Sequence, residues 1–162
     1  MHWLIDANNL VHLIPEIISS ASPQERPLAL ASLLRPYRDM KKLKITLFFD
    51  GGEKQYSTSL NGIPSRFSGP EKSADQIILE YLAQQNDCRG LILVSNDSGL
   101  NSSASRQGAG IIPASRFLHR MLSSQGMDED QEEKEKFSTR KKGPARRLPK
   151  NKRREDKLLR KL

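Results

Sequence analysis

Four aspartates occupy positions from which they could act together. Asp6, Asp50 and Asp97 each follow an apolar run typical of a strand buried in a parallel sheet. Asp75 lies in the first turn of a predicted helix. Because the carboxyl ends of parallel strands lie at one edge of a sheet, we expect these carboxylates to converge there. Two unit charges ~4 Å apart repel by roughly 4 kcal/mol at an effective dielectric near 20, so the cluster predicts raised pKa values or a bound cation.

An all-oxygen cluster of this kind favours Mg²⁺ or Mn²⁺ over zinc. The usual chemistry of such a site is hydrolysis at phosphorus, in which the metal activates a water molecule. A simpler interpretation stays open for each residue, because an aspartate after a strand is often a turn residue or a helix N-cap. Asp75 alone could simply complement the helix dipole. Three strand-ending aspartates in one short domain favour a shared site.

The elements that must position these residues alternate between strand and helix. Apolar runs predict strands at residues 3–5, 45–49, 63–67, 91–94 and 111–112. Helical periodicity predicts helices at residues 25–43, 73–86, 98–108 and 115–125, and Pro36 is expected to kink or break the first of them. Residues 51–72 are left as a long connection that borders the predicted site. This alternation predicts an α/β fold with a parallel sheet.

The charge is distributed very unevenly along the chain. Residues 1–126 carry a net charge of +2, residues 127–135 a net charge of −5, and residues 136–162 a net charge of +11. The acidic run itself covers residues 128–135, and 13 of the last 27 residues are Lys or Arg. Such a segment buries too little apolar surface to offset its ordering entropy. We therefore predict a globular domain over residues 1–126 and a disordered, charged tail over residues 127–162.

Several classes of protein are excluded by composition. Cys88 is the single cysteine, which rules out an internal disulfide or a cysteine-based zinc site. No apolar run reaches the roughly 18 residues of a membrane span. The N-terminus lacks the basic region of a signal peptide and reaches an acid at Asp6. We expect a cytoplasmic protein with no membrane partner.

Four short motifs resemble those of the NYN domain. Residues 5–10 (IDANNL) resemble its opening D-G-x-N motif, and residues 46–51 (TLFFDG) resemble its second strand. Residues 73–78 (SADQII) are similar to its T/S-A-D-x-x-I helix start. Residues 94–97 (VSND) resemble its S-x-D strand end. The order and spacing are most similar to the YacP-like branch of the PIN-fold ribonucleases.

The resemblance implies a PIN-like three-layer sandwich with a central parallel sheet in the order 3-2-1-4-5, and metal-dependent endonucleolytic cleavage of RNA. It implies that Asn9 orients a carboxylate or a phosphate, and that Ser95 and Asn96 are donors beside the last aspartate. The metal ligands, direct or through water, would be Asp6, Asp50, Asp75 and Asp97. Two departures matter: Ala7 stands where the motif has Gly, and residues 98–100 (SGL) contain no acid where many relatives have one. A one-metal or substrate-assisted site therefore stays open.

Basic and aromatic residues are candidates for holding the RNA. Lys54, Arg66 and Lys72 could contact phosphates, and Tyr56 could stack on a base, although an ordinary solvated loop is an equal alternative. Arg106 is a lesser candidate. The tail could anchor the protein on RNA, on a ribosome or on another RNA particle, or could serve only solubility. Its basic clusters are Lys141, Lys142, Arg146, Arg147, Lys152, Arg153 and Arg154.

The leading interpretation is thus a metal-dependent endoribonuclease. The alternative is a non-catalytic RNA- or ribosome-binding module on the same scaffold, favoured by the missing late acid and the basic tail. A phosphotransferase or phosphatase with Asp6 or Asp50 as its nucleophile is a third class. It is weakened because neither strand is followed by D-x-D and the sequence has no Gly-rich P-loop.

Overall fold

The computed structural model describes residues 1–124 and 157–159. The strands of this part of the chain are β1 His2–Asp6, β2 Lys44–Phe49, β3 Gly51–Leu60, β4 Ile63–Gly69, β5 Leu91–Val94 and β6 Gly110–Ile112. The helices are α1 Ala7–Val11, α2 Pro15–Ser20, α3 Arg26–Lys41, α4 Ala74–Ala83, α5 Ser98–Arg106 and α6 Ala114–Ser124. The strands form one sheet in the order β3-β4-β2-β1-β5-β6.

Five of these strands are parallel and correspond to the five that the sequence predicts. Their order, β4-β2-β1-β5-β6, is the predicted order 3-2-1-4-5. Strand β1 lies at the centre and is buried along its whole length, which explains its apolar sequence without polar alternation. The carboxyl ends of β1, β2 and β5 therefore lie on one edge of the sheet, which we call the rim.

The sixth strand corrects the expectation that residues 51–72 form a long connection. Strand β3 pairs antiparallel with β4 and forms the edge of the sheet. The two strands are joined by Asn61 and Gly62, whose φ angles of 48° and 78° are the positive values that a tight hairpin turn requires. The segment after Asp50 is therefore a β-hairpin that runs away from the rim and returns to it.

Helices cover both faces of the sheet, so the predicted three-layer arrangement is confirmed. One core lies between the sheet and helices α1, α2, α3 and α6 and includes Trp3, Leu34 and Phe117. The other lies under α4 and α5 and includes Leu4 and Phe48. Alternate residues of β1, β2, β5 and β6 thus supply opposite cores, which fixes the register of these four strands.

The helices differ from the sequence prediction in two respects. Helix α3 continues through Pro36 instead of breaking there. Helices α1 and α2 occupy a stretch to which the sequence analysis assigned no element. Helix α4 begins as predicted: Ser73 accepts a hydrogen bond from the backbone of Gln76, and the Gln76 side chain accepts one from the backbone of Ser73. This pair of bonds fixes where α4 starts at the rim.

A short helical segment near the C-terminus contacts the domain. Leu158 and Leu159 are partly buried and pack against the core that includes α6. A Cβ atom at Gly110 would lie 2.8 Å from Leu158 Cδ1, so the missing side chain at Gly110 makes room for this leucine. The rest of the predicted tail, including Leu162, lies outside the residues that the structure describes. Within the described ranges, no helix is long and apolar enough to cross a membrane.

Candidate active site

The four predicted aspartates lie at the rim in the structure. Asp6 is the last residue of β1, Asp50 follows β2, Asp97 precedes α5, and Asp75 lies in the first turn of α4. Burial raises the pKa of Asp75 above its ordinary value, and the charges of Asp6, Asp97 and Asp50 raise it further. All four aspartates therefore lie at this edge of the sheet, and their joint action stays a prediction.

Asp6 is the most enclosed of the four, with 4% of its surface exposed. Its Oδ1 accepts the backbone N–H of Asn9 at 3.2 Å, and its Oδ2 accepts the Asn9 side-chain amide at 3.1 Å. The hydroxyl of Ser95 donates to the same Oδ2 at 2.8 Å. Burial raises the pKa of Asp6 above its ordinary value, the bonds from Ser95 and Asn9 partly oppose that shift, and the charge of Asp50 adds to it.

Ser95 connects the ends of β1 and β5. Besides donating to Asp6, its hydroxyl accepts the backbone N–H of Asp97 at 3.0 Å. The side-chain amide of Asn101 donates to the Ser95 carbonyl at 3.0 Å. Asn96 is exposed, and its backbone N–H donates to Asn9 Oδ1 at 3.4 Å. Ser95 and Asn96 adjoin Asp97 in the chain, but Ser95 donates to Asp6 and Asn96 donates to Asn9, so their predicted role as donors for Asp97 stays a prediction.

Asp50 is held by two donors that the sequence analysis did not find. Asn8 donates its side-chain amide to Asp50 Oδ2 at 2.8 Å, and the backbone N–H of Ala74 donates to Oδ1 at 2.6 Å. Both contacts join residues far apart in the chain. The first N–H group of α4 thus donates to the carboxylate of Asp50 at the end of β2, and this bond stabilises the N-terminus of α4.

Three helices begin at this rim, and each one has an aspartate at its N-terminus. Asp6 caps α1 and Asp97 caps α5, accepting the Leu100 N–H at 2.6 Å, while Asp50 bonds to the start of α4. The geometry thus shows the N-cap role of Asp6 and Asp97, and the shared site stays a prediction. The partial positive charges of three helix N-termini offset part of the repulsion among the carboxylates.

The donor chemistry of the rim suits a hard divalent cation. All the candidate ligands are oxygens, and among described residues Asp75 accepts no hydrogen bond, so both of its oxygens are available. Asp97 uses only Oδ1 for its cap, which leaves Oδ2 available. In residues 1–124 and 157–159, no three His, Cys, Asp or Glu side chains are already close enough to hold one ion. The ligand atoms are therefore of the type that a hard cation prefers, and the aspartate side chains would have to change rotamer to surround one ion.

The candidate RNA-binding residues are spread over several surfaces. Lys54 and Tyr56 lie on the exposed strand β3. Arg66 lies on the α4 side of the sheet with its guanidinium carbon 4.8 Å from the centre of the Tyr81 ring, and Lys72 forms an ion pair with Glu80 at 2.6 Å.

Arg106 lies in the last turn of α5, about 12 Å along the helix from the rim, so the fold does not bring it to the aspartates. The basic clusters predicted in the tail lie outside the residues that the structure describes.

Comparisons with known proteins agree with this architecture. The sequence model of the YacP-like NYN domain matches residues 3–161, and so extends over the segment that composition separates as a tail. The crystal structure of Rae1 (YacP) from Bacillus subtilis superposes with a TM-score of 0.63 at 17% identity, covering 78% of this chain and 76% of that one. A single-residue mutant of Rae1 gives 0.64 at 18% identity, covering 78% of each chain. No curated protein matches the chain.

Proposed function

The chain belongs to the YacP-like NYN domain family, which has a PIN-like nuclease fold, and from this premise we propose that it is a metal-dependent endoribonuclease. The observation that carries the proposal is the convergence of four aspartates and three helix N-termini at the rim. The helix N-termini stabilise the carboxylates, and a divalent cation held by the carboxylates would attract the anionic phosphate. A phosphodiester of RNA is the substrate that this combination and the family favour.

Mg²⁺ or Mn²⁺ is the proposed cofactor, because every candidate ligand is an oxygen. Asp75 and the free oxygen of Asp97 would provide ligands, and Asp6 and Asp50 would complete the set directly or through water. When bound, the cation would polarise the phosphodiester and lower the pKa of a bound water. The chain's own contribution is to hold the carboxylates in place: Asn9 and Ser95 fix Asp6, and Asn8 fixes Asp50.

The proposal is tested by cleavage of a labelled single-stranded RNA in Mn²⁺ or Mg²⁺ and in EDTA. We expect products with metal, none in EDTA, and a rate at least ~10²-fold lower in Asp75→Asn, the scale for losing one transition-state-stabilising group. Asp87→Asn is the matched control, because this exposed aspartate precedes β5 at the opposite edge of the sheet and bonds only to Arg89. Cleavage by Asp75→Asn at the wild-type rate would refute the assignment.

Cation binding has a readout that does not depend on activity. A ligand that binds only the folded state raises the free energy of unfolding, so Mn²⁺ should raise the melting temperature of the protein. Asp75→Asn should lose most of that increase, and Asp87→Asn should keep it. An equal Mn²⁺ response in all three proteins would place the cation elsewhere.

A non-catalytic RNA-binding module is the second candidate. It is favoured by the capping bonds of Asp6, Asp50 and Asp97, because these give three of the aspartates a structural role that needs no chemistry. Tight RNA binding without cleavage in Mn²⁺ would support this candidate. A nuclease whose substrate is RNA in a larger assembly would give the same result, so cleavage of RNA on ribosomes is tested next.

The basic tail is proposed to supply affinity for RNA or for a ribosome. Each phosphate neutralised on a single strand contributes about 0.7 to the slope of log affinity against log salt. Replacing the seven residues of the basic clusters with Gln should therefore flatten that slope by up to about 5. An unchanged slope would show that the tail does not contact the strand, and co-sedimentation with ribosomes tests the larger partner.

A further inference from the structure

Three aromatic rings form a stack across the hairpin side of the sheet. Phe49 of β2 and Phe67 of β4 stack with ring centres 5.0 Å apart and planes 15° apart. Tyr56 of β3 stacks on the other side of Phe67 at 4.6 Å, with planes only 4° apart. The register places the three residues side by side, since Phe67 pairs with Phe49 on one side and with Tyr56 on the other.

The outermost ring of this stack is open to solvent. Phe49 and Phe67 are buried, whereas Tyr56 is 38% exposed. Strand β3 is the edge of the sheet, so no further strand of the described residues covers the outer face of the Tyr56 ring. Because the ring lies nearly parallel to Phe67, its outer face continues the stack, with a flat surface available to another planar group.

A bulge in β3 brings Tyr56 into this position. Gly51 pairs with Gly69 and Tyr56 pairs with Phe67, so five residues of β3 span two residues of β4. The β3 backbone passes so close to Gly69 that a Cβ atom there would lie 2.6 Å from the Gln55 nitrogen. Bulges of this kind redirect side chains near functional sites. Without these three extra residues Glu53 would pair with Phe67; with them Tyr56 takes that place, and directly paired residues lie on the same face of a sheet.

The stack lies beside the rim. Phe49 directly precedes Asp50, and Tyr56 is two strands away, which is roughly 10 Å at the usual strand spacing of ~4.8 Å. Lys54 lies in the bulge between them, exposed and without an ion-pair partner among the residues that the structure describes. Proteins that bind single-stranded nucleic acids combine positive charge, which contacts the phosphates, with exposed aromatic rings, on which the bases stack.

We propose that the outer face of Tyr56 stacks an unpaired nucleobase of an RNA strand whose backbone passes the aspartates at the rim. This inference rests on the proposed function, because it takes RNA as the ligand. Lys54 would contact a phosphate next to the stacked nucleotide. Base stacking discriminates little among bases, so Tyr56 would position the strand without selecting a sequence.

The test measures RNA binding in EDTA, where the strand stays intact, with three variants. Tyr56→Phe keeps the flat ring, Tyr56→Leu keeps apolar cover over Phe67 without a π face, and Ser57→Ala controls for the strand itself. We expect Tyr56→Leu to bind about tenfold more weakly, within the range for one base on one ring, and Tyr56→Phe and Ser57→Ala to bind as the wild type does. A strand containing 2-aminopurine should show its fluorescence quenched by the wild type and by Tyr56→Phe only.

The outcomes separate this inference from the proposed function. If RNA binds and is cleaved but Tyr56→Leu binds as tightly as Tyr56→Phe, the inference fails and the nuclease proposal stands. If no variant and no wild-type protein binds RNA, both fail. Thermal unfolding of each variant shows whether a loss of binding reflects a loss of fold. An abasic strand provides a second measure that needs no mutation. The wild type should bind the abasic strand about as weakly as Tyr56→Leu binds the intact strand.

Discussion

Ser95→Ala is the substitution that tests the organisation of the rim most directly. The Ser95 side chain is completely buried, and its hydroxyl both donates to Asp6 and accepts from the backbone of Asp97. The substitution removes one oxygen and leaves the backbone positions unchanged. Its effect therefore reports on these two bonds.

The magnitude follows from the chemistry of each bond. A hydrogen bond to a charged group contributes about 1.5–3 kcal/mol, which is the scale for the bond from Ser95 to the Asp6 carboxylate. The N–H of Asp97 loses its partner too, at a smaller cost because Asp97 is exposed and water can replace the hydroxyl. We expect the free energy of unfolding to fall by about 2–4 kcal/mol at pH 7.

The loss should depend on pH with a definite sign. The pKa of Asp6 is already raised in the folded protein, and the bond from Ser95 opposes that shift, so removing it raises the pKa further. A group whose pKa is raised by folding destabilises the protein above its unfolded pKa, and this effect disappears as the group becomes protonated. The difference between wild type and Ser95→Ala should therefore be largest at pH 7 and shrink as the pH falls through the folded pKa of Asp6.

Urea unfolding at several pH values provides the assay, and Ser65→Ala is the matched control. Ser65 is equally buried, but its hydroxyl donates to the uncharged Ile63 carbonyl at 3.1 Å. Its substitution should have an effect that does not change with pH. If Ser95→Ala costs the same at every pH, or no more than Ser65→Ala, Asp6 is not a buried anion held by this serine.

Three further predictions concern charge and packing. Asp75→Asn should raise the melting temperature in EDTA at pH 7, because it relieves repulsion among carboxylates, and the increase should vanish at a pH where Asp75 is protonated; an increase of the same size at low pH would contradict the electrostatic cause. Burial lowers the pKa of His2 to about 4, so the unfolded protein binds a proton at this residue more readily than the folded protein does. The free energy of unfolding of the wild type, measured in urea, should therefore fall by about 1 kcal/mol from pH 7 to pH 5, and His2→Gln should not show this loss. Leu158→Ala should lower the free energy of unfolding by about 1–2 kcal/mol, less than for a fully buried leucine, whereas Lys157→Ala should change it little; equal effects would show that the leucine does not pack on the domain.

Much of the fold could be predicted because its strands are buried on both faces. The run that ends at Asp50 is apolar except for Thr46, and a run without polar alternation is a strong indication of a central parallel strand. The start of α4 was predictable for a different reason, since the capping box at Ser73 and Gln76 is a local signal.

Strand β3 was missed because its sequence contains no such signal. Its interior is exposed on both sides, so it shows neither an apolar run nor an alternation, and it resembles a solvated loop. The pair Asn61 and Gly62 was the available clue, because this dipeptide between two extended segments favours a two-residue hairpin turn. This dipeptide therefore predicts a hairpin, which places Tyr56 in one of its two strands.

The contacts that orient the site could not have been predicted from one sequence. Asn8 meets Asp50 and Ser95 meets Asp6 only because the sheet places β1 between β2 and β5. Asn101 reaches the Ser95 carbonyl from the first turns of α5, and its own Oδ1 is buried without a partner among the described residues. Such bonds depend on the register of the strands, which a single chain does not reveal.

The two interpretations of the aspartates are two consequences of one arrangement. A carboxylate at a strand end caps the helix that starts beside it, and an N-terminal dipole stabilises that anion by ~0.3–1 kcal/mol, which offsets part of the repulsion from its neighbours. Asp6, Asp50 and Asp97 have such partners, whereas Asp75 accepts no hydrogen bond within the described chain, and its pKa is raised by burial and then by the charges of the other three. The negative charge of Asp75 is therefore the one without a hydrogen-bond donor among the described residues. A cation bound there would relieve its repulsion from the other three, which is why Asp75 is the residue whose substitution should most clearly separate stability from activity.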